Sequence, residues 1–159
     1  MNTWKALERI YAEGRAKAIG VSNFELAHLR RVFDETSVVP AVNVIKLHPG
    51  APQHESRDFH TCHGIATWGW SALGRDENLL EDPVLRRLAE KHGQSPAQVV
   101  PRWHIQEGNI VSPNSATPAR IKENIDIFDF ELDAEDLAAI ADPDTGEQTV
   151  HQLPEEFSW

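Results

Sequence analysis

The stretch Ala18-Ile-Gly-Val-Ser-Asn-Phe24 decides how the rest of the chain is read. Its first four residues form an apolar run of buried-strand length. Two polar residues follow, and Phe24 opens a segment to Glu35 in which Leu26, Leu29, Val32 and Phe33 recur at helical spacing. A strand that passes through a short polar turn into an amphipathic helix is the first part of a βαβ unit. Upstream, Thr3 to Glu13 carries Trp4, Leu7, Ile10 and Tyr11 at helical spacing, with Gly14 as its stop. Downstream, Val38 to Leu47 reads as a strand that ends at His48-Pro49. A weaker helix from about Gln53 to His63 then leads into a third strand, Gly64 to Trp68. Alternation along that strand points Trp68 and Trp70 the same way.

The second half repeats the pattern. Asp82 can cap a helix that starts at Pro83, carries Val84, Leu85, Leu88 and Ala89, and stops at Gly93. Ser95-Pro-Ala-Gln98 fits a capping box with proline at the first helical position. Asn109 to Ser112 is a fourth short strand, and Thr117-Pro118 opens a helix with Ile121, Asn124 and Ile125. Asp133 caps a last helix, Ala134 to Ala141, before a polar tail. Strands separated by amphipathic helices require crossovers in a parallel sheet, so the class is α/β. No strand-to-helix turn carries a GxGxxG or GxxxxGK[ST] phosphate loop. Two architectures remain: a small doubly wound sheet, or part of a (β/α)8 barrel with functional residues just after each strand.

Composition narrows the function. The chain has 159 residues, a net charge of −10 and 40% apolar residues, with a mean hydropathy of −0.45. That is the profile of one soluble domain, expected in the cytoplasm. The acidic excess argues against nucleic acid or an anionic membrane, both of which need a basic face. No apolar run reaches the length of a spanning helix. The single cysteine, Cys62, excludes an internal disulfide and any multi-cysteine zinc site.

The motifs are more specific than the composition. Ala18-Ile-Gly-Val-Ser-Asn-Phe24, Val39-Pro-Ala-Val-Asn43, Leu47-His-Pro49, Ser95-Pro-Ala-Gln-Val-Val100, Arg102-Trp-His104 and Arg120 to Phe130 resemble successive blocks of the aldo/keto reductase family, in its order and spacing. The resemblance implies the C-terminal half of a (β/α)8 TIM-type barrel, with about four parallel strands and outer helices, along the whole chain from 1 to 159. It is closest in character to bacterial members that reduce small carbonyl compounds with NADPH. It also implies that the family's catalytic aspartate, tyrosine, lysine and histidine, which come from strands two to four, have no counterparts here. The one tyrosine, Tyr11, belongs to an outer helix, where packing is its expected role.

What remains resembles the cofactor half. Ser22 and Asn23 match the pair that hydrogen-bonds the nicotinamide carboxamide, and Trp70 matches the ring that stacks on nicotinamide. Ser71, Leu73 and Gly74 match the loop around the pyrophosphate, with Ala72 replacing a proline. Asn114-Ser115 stands where the family has lysine-serine, Arg120 matches the second 2′-phosphate partner, and Glu123 and Asn124 match the adenine contacts. Val44 replaces the glutamine that completes the carboxamide site, and Lys46 replaces a glutamate. These departures imply weak binding of NADP(H), with NAD(H) less disfavoured than usual. Pro101 stands inside a helix, where it should remove a hydrogen bond to Ala97 and cost ~3 kcal/mol unless the helix kinks. Ser56 takes a position the family fills with leucine.

Eight histidines raise a metal reading, above all His60-x-Cys62-His63 with His48 and His54 upstream. His60 and His63 share a helix face in an outer layer, so solvated or capping roles are expected and no metal site is assigned. Cys62 reads as an ordinary helix residue, and the acidic stretch Asp126 to Asp136 as a solvated face and cap. Two function classes follow. One is an oxidoreductase-family chain, inactive in carbonyl reduction alone, whose chemistry needs an N-terminal half. The other is a non-catalytic module that binds a dinucleotide or self-associates, with a homodimer as the simplest assembly.

Overall fold

A computed structural model of the chain describes residues 2–74 and 78–141. The elements in order are α1 (Asn2–Ala12), β1 (Val21–Ser22), α2 (Leu26–Glu35), β2 (Val42–Lys46), α3 (His54–His63) and β3 (Ala66–Trp70). A 3-10 turn over Leu79–Glu81 then leads to α4 (Pro83–His92), α5 (Pro96–Gln106), β4 (Ile110–Val111), α6 (Pro118–Ile125) and α7 (Ala134–Ala141). The strands form one parallel sheet in the order β1-β2-β3-β4, with Val21 opposite Asn43 and Ser22 opposite Val44. This is the α/β arrangement the alternating pattern demands, with sequential strands adjacent. By contact density the described chain groups into two units, one holding residues 2–45 and 53–68, the other 46–52 and 69–141.

In the first unit, Trp4, Ile19 and Val32 form a buried cluster, and Leu7, Val21, Phe24 and Phe33 pack against it. The stripe read from α2 is the face that is buried, and Leu29 and Val32 have no exposed surface. Tyr11 does not pack as expected. It is 42% exposed, because α1 buries the Trp4 side and leaves Tyr11 toward solvent.

The first three strands begin later than the sequence reading has them, each for a local reason. The first strand pairs only at Val21–Ser22. Just before it, Gly20 passes so close to β2 that a β-carbon would lie 2.4 Å from the Val42 side chain and 2.7 Å from its carbonyl. The second strand begins at Val42, after Pro40, which has no N–H to give a ladder. The third begins at Ala66, because Gly64 adopts φ 69° and closes α3 with N–H bonds to its last carbonyls. A glycine read as strand is a helix stop.

In the second unit the caps fall where expected. The Asp82 carboxylate accepts from the Val84 and Leu85 N–H groups at 2.7 and 3.2 Å. Gln98 accepts the Ser95 N–H at 3.0 Å, the return arm of the capping box. α5 runs from Pro96 to Gln106 through Pro101 without a break. The Ala97 carbonyl loses its helical partner, but Ala97 is only half-buried and lines a cavity. The polar side chains of α5 are engaged downstream. Gln98 donates to the Asp126 carbonyl, Arg102 to that of Ile127, and Gln106 bonds both backbone groups of Leu132. These bonds fix the course of the chain from α6 to α7.

Candidate functional site

Ser22 ends β1, and Asn23 follows with φ 55°, in the left-handed region that is costly for a residue with a side chain. The Val44 carbonyl holds both residues, accepting from the Asn23 N–H at 2.8 Å and from the Ser22 hydroxyl at 3.3 Å. The turn that interrupts the Ala18–Phe24 stretch is therefore a strained strand end, a common setting for a functional residue. Val44 offers this turn its backbone alone, since its side chain has no polar group.

In the second unit, Trp70 ends β3 half-buried, and its carbonyl accepts the Leu47 N–H at 3.3 Å. Ser71 also has a positive φ, 52°, and Gly74 closes the turn by donating to the Ser71 carbonyl at 2.8 Å. At Gly74, with φ 62°, a β-carbon would lie 2.6 Å from Leu79. Glycine is required there on both counts. Leu73 leaves this turn into a cavity of about 750 Å³, whose walls also carry Asn114, Ser115, Arg120, Glu123 and Asn124. Six of the candidate residues thus share one concavity of ordinary ligand-site size.

The cavity's electrostatics are mixed. Arg120 and Arg86 supply positive charge, and Arg86 is paired with Glu81. The Glu123 carboxylate accepts the Ser95 hydroxyl, and Ser115 accepts the Thr117 N–H at 3.1 Å, which shapes the entry to α6. Asn114 is exposed at the rim. Sequence reasoning missed Arg86, because α4 was read for its apolar face and Arg86 lies off that face.

The histidines correct the solvated reading in part: His54 and His63 are exposed as expected, and others are not. His48, His60 and His104 are buried, with exposures of 1%, 0% and 0%. His60 is bonded on both ring nitrogens, to Asn43 at 3.1 Å and Thr67 at 2.9 Å. Burial pushes its imidazole down to about 4. The face it shares with His63 was misjudged because α3 lacks a strong apolar stripe and buries a polar network instead. His63 is exposed and stacks on Phe59 and Phe33. His28 caps α2 through the Glu25 N–H. His48 belongs to the expected turn, bridged to Ala51. No group of three or more His, Cys, Asp or Glu side chains that could hold a metal occurs among the described residues. The acidic stretch is corrected in part. Asp133 caps α7 as read, but Asp136 is 3% exposed and paired with Lys91 and His92 at 2.7 and 2.8 Å.

The fold and the motif order are those of the aldo/keto reductase family. The chain belongs to that family, whose model matches residues 1–144. It is 53% identical over 148 residues to an aldo-keto reductase of Mycolicibacterium smegmatis, and 42% identical over 149 residues to the methylglyoxal reductase DkgA of Escherichia coli. Each alignment covers 93% of this chain and 54% of the relative. A crystal structure of a Gox0644 variant in complex with NADPH superimposes with a TM-score of 0.93 at 47% identity, over 99% of this chain and 58% of that one. The chain thus spans about half the length of the relatives it matches. No helix among the described residues is long and apolar enough to cross a membrane.

Proposed function

We propose that this chain is the dinucleotide-holding half of an aldo/keto reductase, that it binds NADP(H) weakly, and that it does not reduce carbonyls alone. The observation that carries the reading is the cavity lined by Leu73, Asn114, Ser115, Arg120, Glu123 and Asn124. On this reading Arg120 faces the 2′-phosphate, Glu123 and Asn124 face adenine, and the Ser71–Gly74 turn borders the pyrophosphate. Ser22 and Asn23 offer hydrogen bonds to the carboxamide, and Trp70 offers a flat ring to the nicotinamide face. When bound, the dinucleotide would supply hydride. The chain's own groups bind and orient.

The weakness has a stated source. With Asn114 in place of a cation, one charge-assisted bond to the phosphate is lost, worth about 1.5–3 kcal/mol. That loss falls on NADPH and spares NADH, so discrimination narrows. Catalysis is a separate matter. Protonating the developing alkoxide needs a positioned acid, which contributes roughly 10²–10⁴-fold. The one tyrosine, Tyr11, lies exposed on α1 and is not placed at a strand end.

Titrating the full chain with NADPH and with NADH tests this reading. Asn114→Lys is expected to tighten NADPH about tenfold and leave NADH within twofold. Equal effects on both would remove Asn114 from the phosphate. NADPH oxidation with small aldehydes, proportional to chain concentration, would overturn the claim of inactivity.

A specific observation favours self-association as well. In the second unit Ile105, Ile110, Ile121, Ile125 and Phe128 are 40–69% exposed, apolar surface that burial against another chain would cover.

A further inference from the structure

The turn that carries Ser22 and Asn23 is held from behind by three buried side chains. Asn43 on β2 has no exposed surface. Its Oδ1 accepts the Phe24 N–H at 3.3 Å, and its Nδ2 donates to the Phe24 carbonyl at 2.8 Å. The two backbone groups of one residue therefore fix which way the carboxamide faces. The same Nδ2 lies 3.1 Å from His60 Nε2. An amide nitrogen only donates, so Nε2 is the acceptor and the ring proton is on Nδ1. That proton goes to Thr67 Oγ1, 2.9 Å away.

We propose that His60 is a positioning residue: as the Nδ1–H tautomer it presents an acceptor to Asn43, holds the Asn43 carboxamide against the Phe24 peptide, and so sets the Ser22–Asn23 turn. The relay runs from Thr67 on β3 through His60 on α3 and Asn43 on β2 to the end of β1. Each member is at most 6% exposed, so water does not compete for these bonds. An aliphatic residue at 60 would leave the second Asn43 N–H buried without an acceptor, and the carboxamide would be free to turn. The importance of the turn rests on the dinucleotide reading above, while the relay itself does not. Neutrality of the ring agrees with its burial, which keeps it unprotonated well below neutral pH.

Two substitutions separate the arms of the ring. Gln places an acceptor near the Nε2 position, and Asn places its polar group near Nδ1 only. Amide hydrogen exchange on the full chain is expected to quicken about tenfold at Asn23 and Phe24 in His60→Asn. In His60→Gln it should stay within about twofold of the unsubstituted chain. Val99 and Val100 in α5 should be unmoved in both. Unchanged exchange at Asn23 and Phe24 in His60→Asn would overturn the proposal, as would equal acceleration in the two variants. Nitrogen-15 spectra of the unsubstituted chain give a check that survives a folding defect. They should show an unprotonated Nε2, and a proton there would refute the relay. NADPH affinity of the same variants is a distinct arm. If the unsubstituted chain binds no dinucleotide, the dinucleotide reading fails and exchange still decides the role of His60.

Discussion

At His60, burial without a charged partner makes stability depend on pH. Unfolded histidine takes up a proton near 6.5, whereas the buried ring resists until about 4. Above 6.5 neither state is protonated and stability is full. Between 6.5 and 4 the unfolded chain binds more protons, so stability falls with pH by up to about 3 kcal/mol, then levels. Urea midpoints measured across that window should drop, and His60→Gln should flatten the drop. A second, lower loss belongs to Asp136. Burial pushes its carboxyl up, but hydrogen bonds from Lys91 and His92 outweigh this and hold it below the usual carboxylate range. Its stabilisation therefore disappears below about pH 3.8. Neither group was legible in the sequence. A histidine in a helix without an apolar stripe reads as solvated, and its partners Asn43 and Thr67 lie on two other elements. The Ser22-Asn23 turn was legible because its residues are adjacent in the chain.

Elements were legible where a local rule sets them. Asp82, Pro83 and Gly93 delimit α4 through a side-chain cap, a preset φ and a left-handed stop, all short-range. Asp82→Ala should cost about 1 kcal/mol, read from the urea midpoint. Strands were less legible, since β1 and β4 pair over two residues each and depend on neighbours distant in sequence. Gly20 shows the dependence: its close approach to Val42 belongs to the β1–β2 pair and appears in neither segment alone. For α5, the sequence warned of Pro101, and the helix continues through it with the Ala97 carbonyl lacking its helical partner. Pro101→Leu should restore the bond to Ala97 and raise stability by about 1–3 kcal/mol. A fall would show that the ring's packing among its buried neighbours outweighs the missing bond.

For the whole molecule, four parallel strands do not close a barrel, and a parallel sheet is ordinarily covered on both faces and at its edges. Together with the exposed apolar residues around β4 and α6, this predicts association in solution. Light scattering at micromolar concentration should report dimers or larger species, and a monodisperse, cooperatively melting monomer would contradict that. The class and order of the fold were readable from alternation and motif order. The cavity was only partly so: Leu73 and Asn114 to Asn124 were read from the motifs, but Arg86 reaches its wall from α4, outside any of them. The central claim is that this half of the family's fold still holds a dinucleotide. Titration of the full chain with NADPH, followed through tryptophan fluorescence with Trp70 at the end of β3, tests it most directly. Saturable quenching of weak affinity, closely matched by NADH, is the expected result. A flat response into the millimolar range with both nucleotides would contradict the claim.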